Sequence, residues 1–345
     1  LYDCGGGGLR RLTDDLAFLP GSAGEVGALA RLVWLDERDV LCHGVRAGAS
    51  GLYHVNADNG QTEPLGAAPD RGEPPRVRPL HIHRIVTKSR TMKSSHLFLM
   101  CPPEHFTVAY IINPWMHGNL RRIDNAVAKQ QWRSLYDVIC DLATVRLVLP
   151  QPGSPDMVFT ANAGLVKGRR FIVSRFRYPE RQYEEPYFAD WFMDRGYEVS
   201  LMPRDVPFEG AGDALFDRGA DRLWMAHGHR SISAAREVIF ERLGVDVETL
   251  RLTDTRFSHL DTCFCPLDGG FLLYYPPAFD DASRATIEKR VPAAKRIAIG
   301  EEDALAFACN AVNIDTTVIV NRATAPFVKA LGAKGFEVVQ TPLSE

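Results

Sequence analysis

Long apolar runs are what this sequence lacks most plainly. No run among its 345 residues approaches the roughly 20 that a membrane-crossing helix needs. No single sign of charge dominates either. Forty Lys and Arg stand against 43 Asp and Glu, a net charge of −3. That balance calls for no nucleic-acid partner and no anionic membrane. The start shows no basic-then-apolar leader, and Leu1 rather than Met comes first, which suits a fragment. There is no CxxC pair, no HExxH and no facial-triad spacing, so metal chemistry has little to stand on. The seven cysteines are odd in number and mostly far apart. They read as reduced thiols of a cytoplasmic protein, not as a disulfide framework.

What is present is enough apolar content, 46%, for a sizeable core. The character of the chain changes near residue 92. Residues 1–91 hold "CGGGG", "RAGASG" and "APDRGEPPRVRP". A short helix is expected over Glu25 to Leu35, and a hairpin in "GLYHVNADNGQTEP" with Asn-Gly at its turn. The Pro/Arg-rich stretch from Ala67 to Pro79 reads as linker or disorder. Met92 suits a natural start. Residues 1–91 are then an extension of unknown role, partly disordered and non-native or optional, and 92–345 the folded catalytic domain.

From Leu97 onward the text alternates. Apolar segments are expected as strands in "HLFLMCPP", "HFTVAYIINP" and "TVRLVLPQP". "NAVAKQQWRSLYDVICDL" is expected as a helix with a stripe of Val127, Trp132, Leu135, Val138 and Ile139. A unit of hairpin, helix and strand then recurs, about every 60–70 residues. Gly168 falls near one hairpin turn, and Gly196 and Gly244 end helices. Simple strand–helix alternation would give a parallel doubly wound sheet. A hairpin before each helix favours radial repetition, with loops converging on a shared cavity.

Those loops carry polar residues at equivalent places. "PDMVFTANAG" holds Asp156 and Asn162, and "RYPERQYEE" holds Arg181 at a helix start. "PFEGAGDALF" holds Glu209 and Asp213, and "AHGHRS" holds His227, His229 and Arg230. "FSHLDTCF" holds His259 and Asp261, two apart and so on one face of a strand. Glu209 among glycines also suits a turn carboxylate. A metal reading would take His227, His229, His259 and Cys263 or Cys265. The cysteines themselves suit small buried hydrophobes.

"PDMVFTANAG", "EGAGD", "GHRS" and "HLDT", in this order, resemble the guanidino-group-modifying enzymes over about Leu97 to Glu345. That superfamily holds arginine deiminase, dimethylarginine dimethylaminohydrolase, glycine amidinotransferase and arginine dihydrolase. The resemblance implies an α/β fold, a five-bladed α/β propeller (pentein), here lacking its C-terminal end. It implies His259 as general acid/base and Glu209 as its carboxylate partner. Asp261 would bind a guanidinium with a free terminal nitrogen. Arg181 and Arg230 would hold the substrate α-carboxylate by bidentate pairing. Asp156 would shape the site or contact the α-amino group, and Asn113 counts among the substrate-binding candidates.

Two departures from the pattern matter. Asn162 stands where deiminase-like and dimethylaminohydrolase-like members carry an acid, which is similar to arginine dihydrolase, the enzyme that takes arginine to ornithine. The family's nucleophile is a C-terminal cysteine that forms a covalent thiouronium intermediate. None of the seven cysteines fits it, so it is expected beyond Glu345 and this chain is expected to be inactive. The expected function is hydrolysis of the guanidino group of free arginine or a close analogue. Dimethylaminohydrolase activity, amidinotransferase activity and a non-catalytic arginine-binding role are the alternatives. The expected ligand is a small molecule, with no organic cofactor, no metal, no nucleic acid and no membrane. Assembly into a homo-oligomer is left open.

Overall fold

The computed structural model describes residues 96–345 in full; before them it describes the backbone of six strand segments between residues 2 and 64. Contacts between Cα atoms divide the chain into Leu1–Met92 and Lys93–Glu345.

In the first unit Asp39–Arg46 pairs antiparallel with Ala49–Asn56, which pairs in turn with Thr62–Pro64. The second of these pairings is the hairpin expected around Asn59-Gly60. The turn itself lies outside the described residues, as does the Ala67–Pro79 stretch. The helix expected to reach Leu35 does not: Val33–Trp34 is a strand paired with Val40 and Leu41. A β-branched and an aromatic residue beside a ready strand edge favour the ladder. The rest of that expected helix is outside the described residues.

The second unit is α/β, built by repetition. Four three-stranded sheets follow one another: Gly164–Lys167, Arg170–Val173 and Glu198–Leu201; Ala214–Phe216, Arg222–His227 and Asp246–Arg251; Phe264–Leu267, Phe271–Tyr274 and Arg296–Ala298; Val312–Ile314, Thr317–Val320 and Glu337–Gln340. Each is an antiparallel hairpin whose second strand takes a parallel third strand after a helix. A fifth sheet, Leu97–Met100 with Thr144–Leu147, is parallel across helix Asn125–Leu142. The hairpins open at Gly164, Ala214, Phe264 and Val312, about 50 residues apart and closer than the sequence spacing suggested. The reason is that the crossing helices are short, eight to ten residues.

Local chemistry explains the elements. Asp124 caps the long helix by accepting from the amides of Ala126 and Val127, which satisfies donors that a helix start leaves open. Its buried face is Ala128, Tyr136, Ile139 and Cys140. Of the expected stripe only Ile139 is fully buried; Trp132 and Leu135 line a cavity instead. Gly244 ends helix Ala235–Leu243 in the left-handed region at φ 60°, where glycine is at no disadvantage. The helix expected after Arg181 is broken in two, Pro179–Gln182 and Glu185–Met193.

The strand expected in "HFTVAYIINP" is not formed. Residues 101–124 make an irregular strap with one short turn of helix, Pro114–Met116. Isolated contacts satisfy its backbone in place of a ladder: the Val108 carbonyl accepts from Arg121, and the Ile112 carbonyl from Arg230.

Two of the cores back the polar loops. Leu165, Ile172, Phe208, Leu223, Met225 and Ile239 pack behind the loop of Glu209. Trp224, Phe257, Leu260, Phe264 and Ile287 pack behind the loop of His259. Phe264 is fully buried and lies 5.4 Å from Trp224, ring to ring. Phe264→Ala should therefore cost about 3–5 kcal/mol. Urea unfolding measures it, and a loss near zero would contradict this packing.

Candidate active site

The site is best built outward from Glu209. It precedes the turn Gly210–Asp213 and is fully buried. A buried carboxylate is stable only when paired and hydrogen-bonded. Glu209 has both kinds of partner. Its Oε1 accepts from the Arg177 amide at 3.1 Å. Its Oε2 lies 3.0 Å from Arg230 Nη1 and 2.7 Å from His259 Nε2.

Burial alone would push the Glu209 carboxyl up. The His259 hydrogen bond and the charges of His259, Arg230 and Arg181 outweigh burial and hold it at about 2. For His259, burial opposes the charged ring, yet the Glu209 hydrogen bond and the Asp213 and Glu209 charges raise its pKa. The pair rests as carboxylate and imidazolium.

Glycine makes room for this pair. Gly210 has φ +59°, and a Cβ there would sit 2.6 Å from the Gly164 amide nitrogen. The "EGAGD" and "ANAG" motifs therefore touch backbone to backbone. A Cβ on Gly212 would strike Asn162 Nδ2 and come within 3.3 Å of the His259 ring.

Arg181 is buried over the Phe176 ring at 4.3 Å. Its Nε and Nη2 each reach Glu184 at 2.9 Å. Nη2 also reaches the Asp156 carbonyl, and Nη1 reaches Asn162 Oδ1. Four of its five N–H groups are thus committed, which leaves one for a ligand in place of the expected fork. The same contact turns the Asn162 oxygen toward Arg181 and its NH2 toward Gly212. Asp156 accepts from the Tyr110 hydroxyl at 2.9 Å, and burial raises its pKa against the pull of Arg181.

A cavity of about 1010 Å³ runs past these groups. Asp156, Asn162, Arg181, Arg230, His259 and Asp261 all line it, and so does Asn113. Asn113 also caps the strap's short turn, its Oδ1 accepting from the Met116 amide. Glu209 stands behind His259 and Arg230. His259 and Asp261 share the cavity, but not by strand alternation. His259 caps a 3-10 turn, Leu260–Thr262, and the strand begins only at Phe264. Asp261 is half-buried, and burial followed by the Asp213 charge raises its carboxyl to about 7.

A family model described as N,N dimethylarginine dimethylhydrolase, eukaryotic, matches residues 119–338. The chain belongs to the dimethylarginine dimethylaminohydrolase family. Membership places it among the guanidino-group-modifying enzymes. It is 52% identical over 254 residues to the bifunctional arginine dihydrolase/ornithine cyclodeaminase AgrE of Nostoc sp., a match covering 74% of this chain and 36% of that one. It is 38% identical over 263 residues to the N(G),N(G)-dimethylarginine dimethylaminohydrolase of Mycobacterium tuberculosis, covering 76% and 85%. The chain spans about a third of the length of AgrE and of its Synechocystis counterpart ArgZ. Among solved structures it resembles the N-terminal domain of ArgZ, a Cys-to-Ser variant bound to substrate. The TM-score there is 0.71 at 52% identity, over 71% of this chain and 91% of that one.

Several groups that organise this family member's site have roles that the sequence motifs do not show, Asp213 of "EGAGD" among them. Glu184 is fully buried and holds Arg181; the i,i+3 spacing within "RQYEE" was an available signal. Asp213 accepts from the Ser231 amide and hydroxyl and from the Leu260 amide. The Ser231 hydroxyl in turn accepts from the Glu209 amide. One carboxylate thus ties the Glu209 loop to the His259 loop. Tyr110 lies 46 residues from Asp156, and no local pattern announces it.

The thiols among the described residues are buried. Burial pushes Cys101 and Cys265 up to about 12, and Cys263 and Cys309 well above the ordinary range. Cys263 and Cys265 enter different core clusters, because Cys263 is not yet extended (φ −135°, ψ 7°). Among the described residues no group of three or more His, Cys, Asp or Glu is placed to hold a metal, so the alternative ligand set does not converge.

Two outcomes are expected. Gly212→Ala should lose about 1–3 kcal/mol through overpacking; an unfolding midpoint equal to wild type would count against the close approach. The second concerns pH. The raised His259 pKa stabilises the fold below the free imidazole value near 6.5 and loses that effect as pH rises through the folded value. The depressed Glu209 pKa stabilises above the free value near 4.3 and loses its effect as pH falls toward 2. Wild type minus His259→Gln should therefore show its largest stability difference near pH 5, shrinking on both sides. A difference that stays flat from pH 3 to 9 would refute the pair.

Proposed function

We propose that residues 92–345 form a cytoplasmic hydrolase domain, free of metal and organic cofactor, that acts on the guanidino group of free arginine. Its five sheets are read as the blades of an α/β propeller around the cavity. Residues 1–91 are read as an extension. The observation that carries the reading is the Glu209–His259 pair opening, beside Asp261 and Asn162, on one cavity. Carboxylates around a cavity select a planar cation, and a proton-holding imidazole serves its leaving nitrogen.

A cysteine thiolate attacks the guanidinium carbon and forms a C–S bond. The C–N bond to the terminal nitrogen breaks, and ammonia leaves with a proton from His259. Water then gives a proton to His259 and attacks the same carbon, and breaking the C–S bond returns the thiolate. A second round takes the bound product to ornithine. Overall arginine and two waters give ornithine, two ammonia and carbon dioxide.

The four thiols with raised pKa are unsuited to the attack, and the nucleophile is assigned to a cysteine after Glu345. Leu343 and Glu345 line the cavity, so a cysteine placed just after Glu345 would stand at its rim. Trapping substrate in ArgZ with a cysteine replaced supports the same chemistry. Asn162 favours arginine dihydrolysis over deimination, since its neutral amide stands where an acid would fix the guanidinium. The family model and the mycobacterial relative support a second reading, dimethylarginine as substrate. Asp261 speaks against it, because methyl groups would replace the N–H donors it needs.

The test is a chain extended past Glu345, assayed with arginine and dimethylarginine. Ornithine from arginine is expected; no ornithine, citrulline or dimethylamine above background would overturn the reading. Arginine should bind more tightly as pH rises from 6 to 8, as Asp261 ionises through about 7. Asp261→Asn should remove that slope, and a slope kept in the variant would clear Asp261 of the role.

A further inference from the structure

The carboxylates of the site are held in different ways. Glu209 is held by Arg177, Arg230 and His259, and Asp213 by Ser231 and Leu260. Asp261 takes its support from the loop that leads into the next sheet. Asn310 Nδ2 donates to the Asp261 carbonyl at 3.3 Å. A hydrogen bond from the same side chain also reaches the Asp261 carboxyl and lowers its pKa against burial. An amide nitrogen carries two N–H groups, one for each oxygen.

The turn that carries Asp261 needs this support. Leu260–Thr262 is a single 3-10 turn. The Leu260 amide is tied to Asp213 at 3.2 Å, and the Thr262 hydroxyl donates to the His259 carbonyl at 2.6 Å. Neither contact touches Asp261 itself.

Asn310 lies between helix Glu301–Leu305 and strand Val312–Ile314, 49 residues along the chain from Asp261. Its loop is stiff. Phe307 has φ 57°, a region uncommon for a residue with a side chain. Such a residue persists only where its surroundings over-determine it. Here the Phe307 amide donates to the Ala304 carbonyl, the Ala308 amide to the Asp303 carbonyl, and the Asn310 amide to the Phe307 carbonyl. The Phe307 ring lies 5.0 Å from Trp115 and 6.3 Å from Phe257. Cys309, next to Asn310, is buried in the core of the last sheet. The Asn310 side chain is therefore exposed but aimed, and it lines the main cavity together with Asp261.

The charges that face Asp261 are those of His259 and Asp213, which pull its pKa down and up. The thiols of Cys263 and Cys265 beside it are held neutral by burial. Asn310 is the neutral donor of the set.

We propose that Asn310 is a positioning residue for Asp261, holding its main chain and carboxylate so that the anion faces the cavity. The assignment rests on the reading of Asp261 as the guanidinium ligand and deepens it. Only the anion offers acceptors alone; a protonated carboxyl would set an O–H against the N–H groups of a guanidinium. By favouring the anion, Asn310 sets the pH from which arginine binds.

A ¹³C NMR titration of the ligand-free chain tests it, with aspartate carboxyls labelled and the Asp261 signal assigned from Asp261→Asn. The wild-type midpoint of Asp261 should lie at about 7. Asn310→Leu and Asn310→Ala should each raise it by about half to one pH unit, the size of one lost neutral hydrogen bond. Asn310→Gln, which keeps the amide, should recover part of the shift. An Asp261 midpoint unmoved in the variants overturns the proposal, even where their unfolding temperature falls. Should Asn310→Leu not fold, Asn310→Ala decides. Calorimetry with L-arginine then separates this proposal from its parent. Below pH 6.5 Asn310→Leu should bind L-arginine about threefold more weakly, and the loss should close by pH 9. A shifted midpoint with arginine binding that ignores pH keeps the positioning role and overturns the guanidinium role of Asp261 instead.

Discussion

A single buried carboxylate, Glu209, is the point on which the site's geometry turns. Its two oxygens face an imidazole, a guanidinium and a backbone amide that come from three different loops. Each partner is held in place because the carboxylate cannot be left uncompensated; removing one partner of such a buried pair costs on the order of 3–5 kcal/mol. The charge that keeps His259 protonated therefore also fastens the loops to one another. Asp213 repeats the device one layer back, through Ser231 and Leu260. The protonation of His259 and the packing of the loops here share the same bonds.

A second charge system, centred on Arg181, is almost closed on itself. Glu184, Asn162 and the Asp156 carbonyl absorb most of its donors. Its main effect is orientational: it fixes which end of the Asn162 amide faces which way. Arg230 is shared instead, between the Glu209 carboxylate and the Ile112 carbonyl of the strap. Two arginines that look equivalent in sequence thus differ in how much of each remains for a ligand.

Much of this architecture is legible in the chain. Alternating hairpins and helices reveal the repeat, and Gly168, Gly196 and Gly244 fall where turns and caps need them. The polar loops point to His259, Glu209, Asp156, Asn162, Arg181, Arg230 and Asp261, and all but Glu209 reach the cavity wall directly. The failures have physical causes. "HFTVAYIINP" has strand composition but meets its backbone needs through isolated contacts, Arg121 to Val108 and Arg230 to Ile112, so it becomes a strap. His259 and Asp261 share a cavity through a 3-10 turn, a conformation that period-2 reasoning cannot see. Tyr110 and Ser231 act through contacts with distant parts of the chain, and such contacts leave no local pattern. Asp213 is among the polar loop residues the motifs name, though its bonds to Ser231 and Leu260 are not legible there; Glu184 is within reach, three residues from Arg181 in "RQYEE".

The buried thiols have a practical side. A thiol held near 12 or above is almost wholly protonated at neutral pH and shielded from reagents. Cys101, Cys263, Cys265 and Cys309 should stay dark to maleimides and haloacetamides while the fold holds. The described core thus provides its own silent background: once Cys4 and Cys42, which lie outside the residues described in full, are replaced, a cysteine placed deliberately at the cavity rim could carry a fluorophore that reports on that rim with the core thiols left in place.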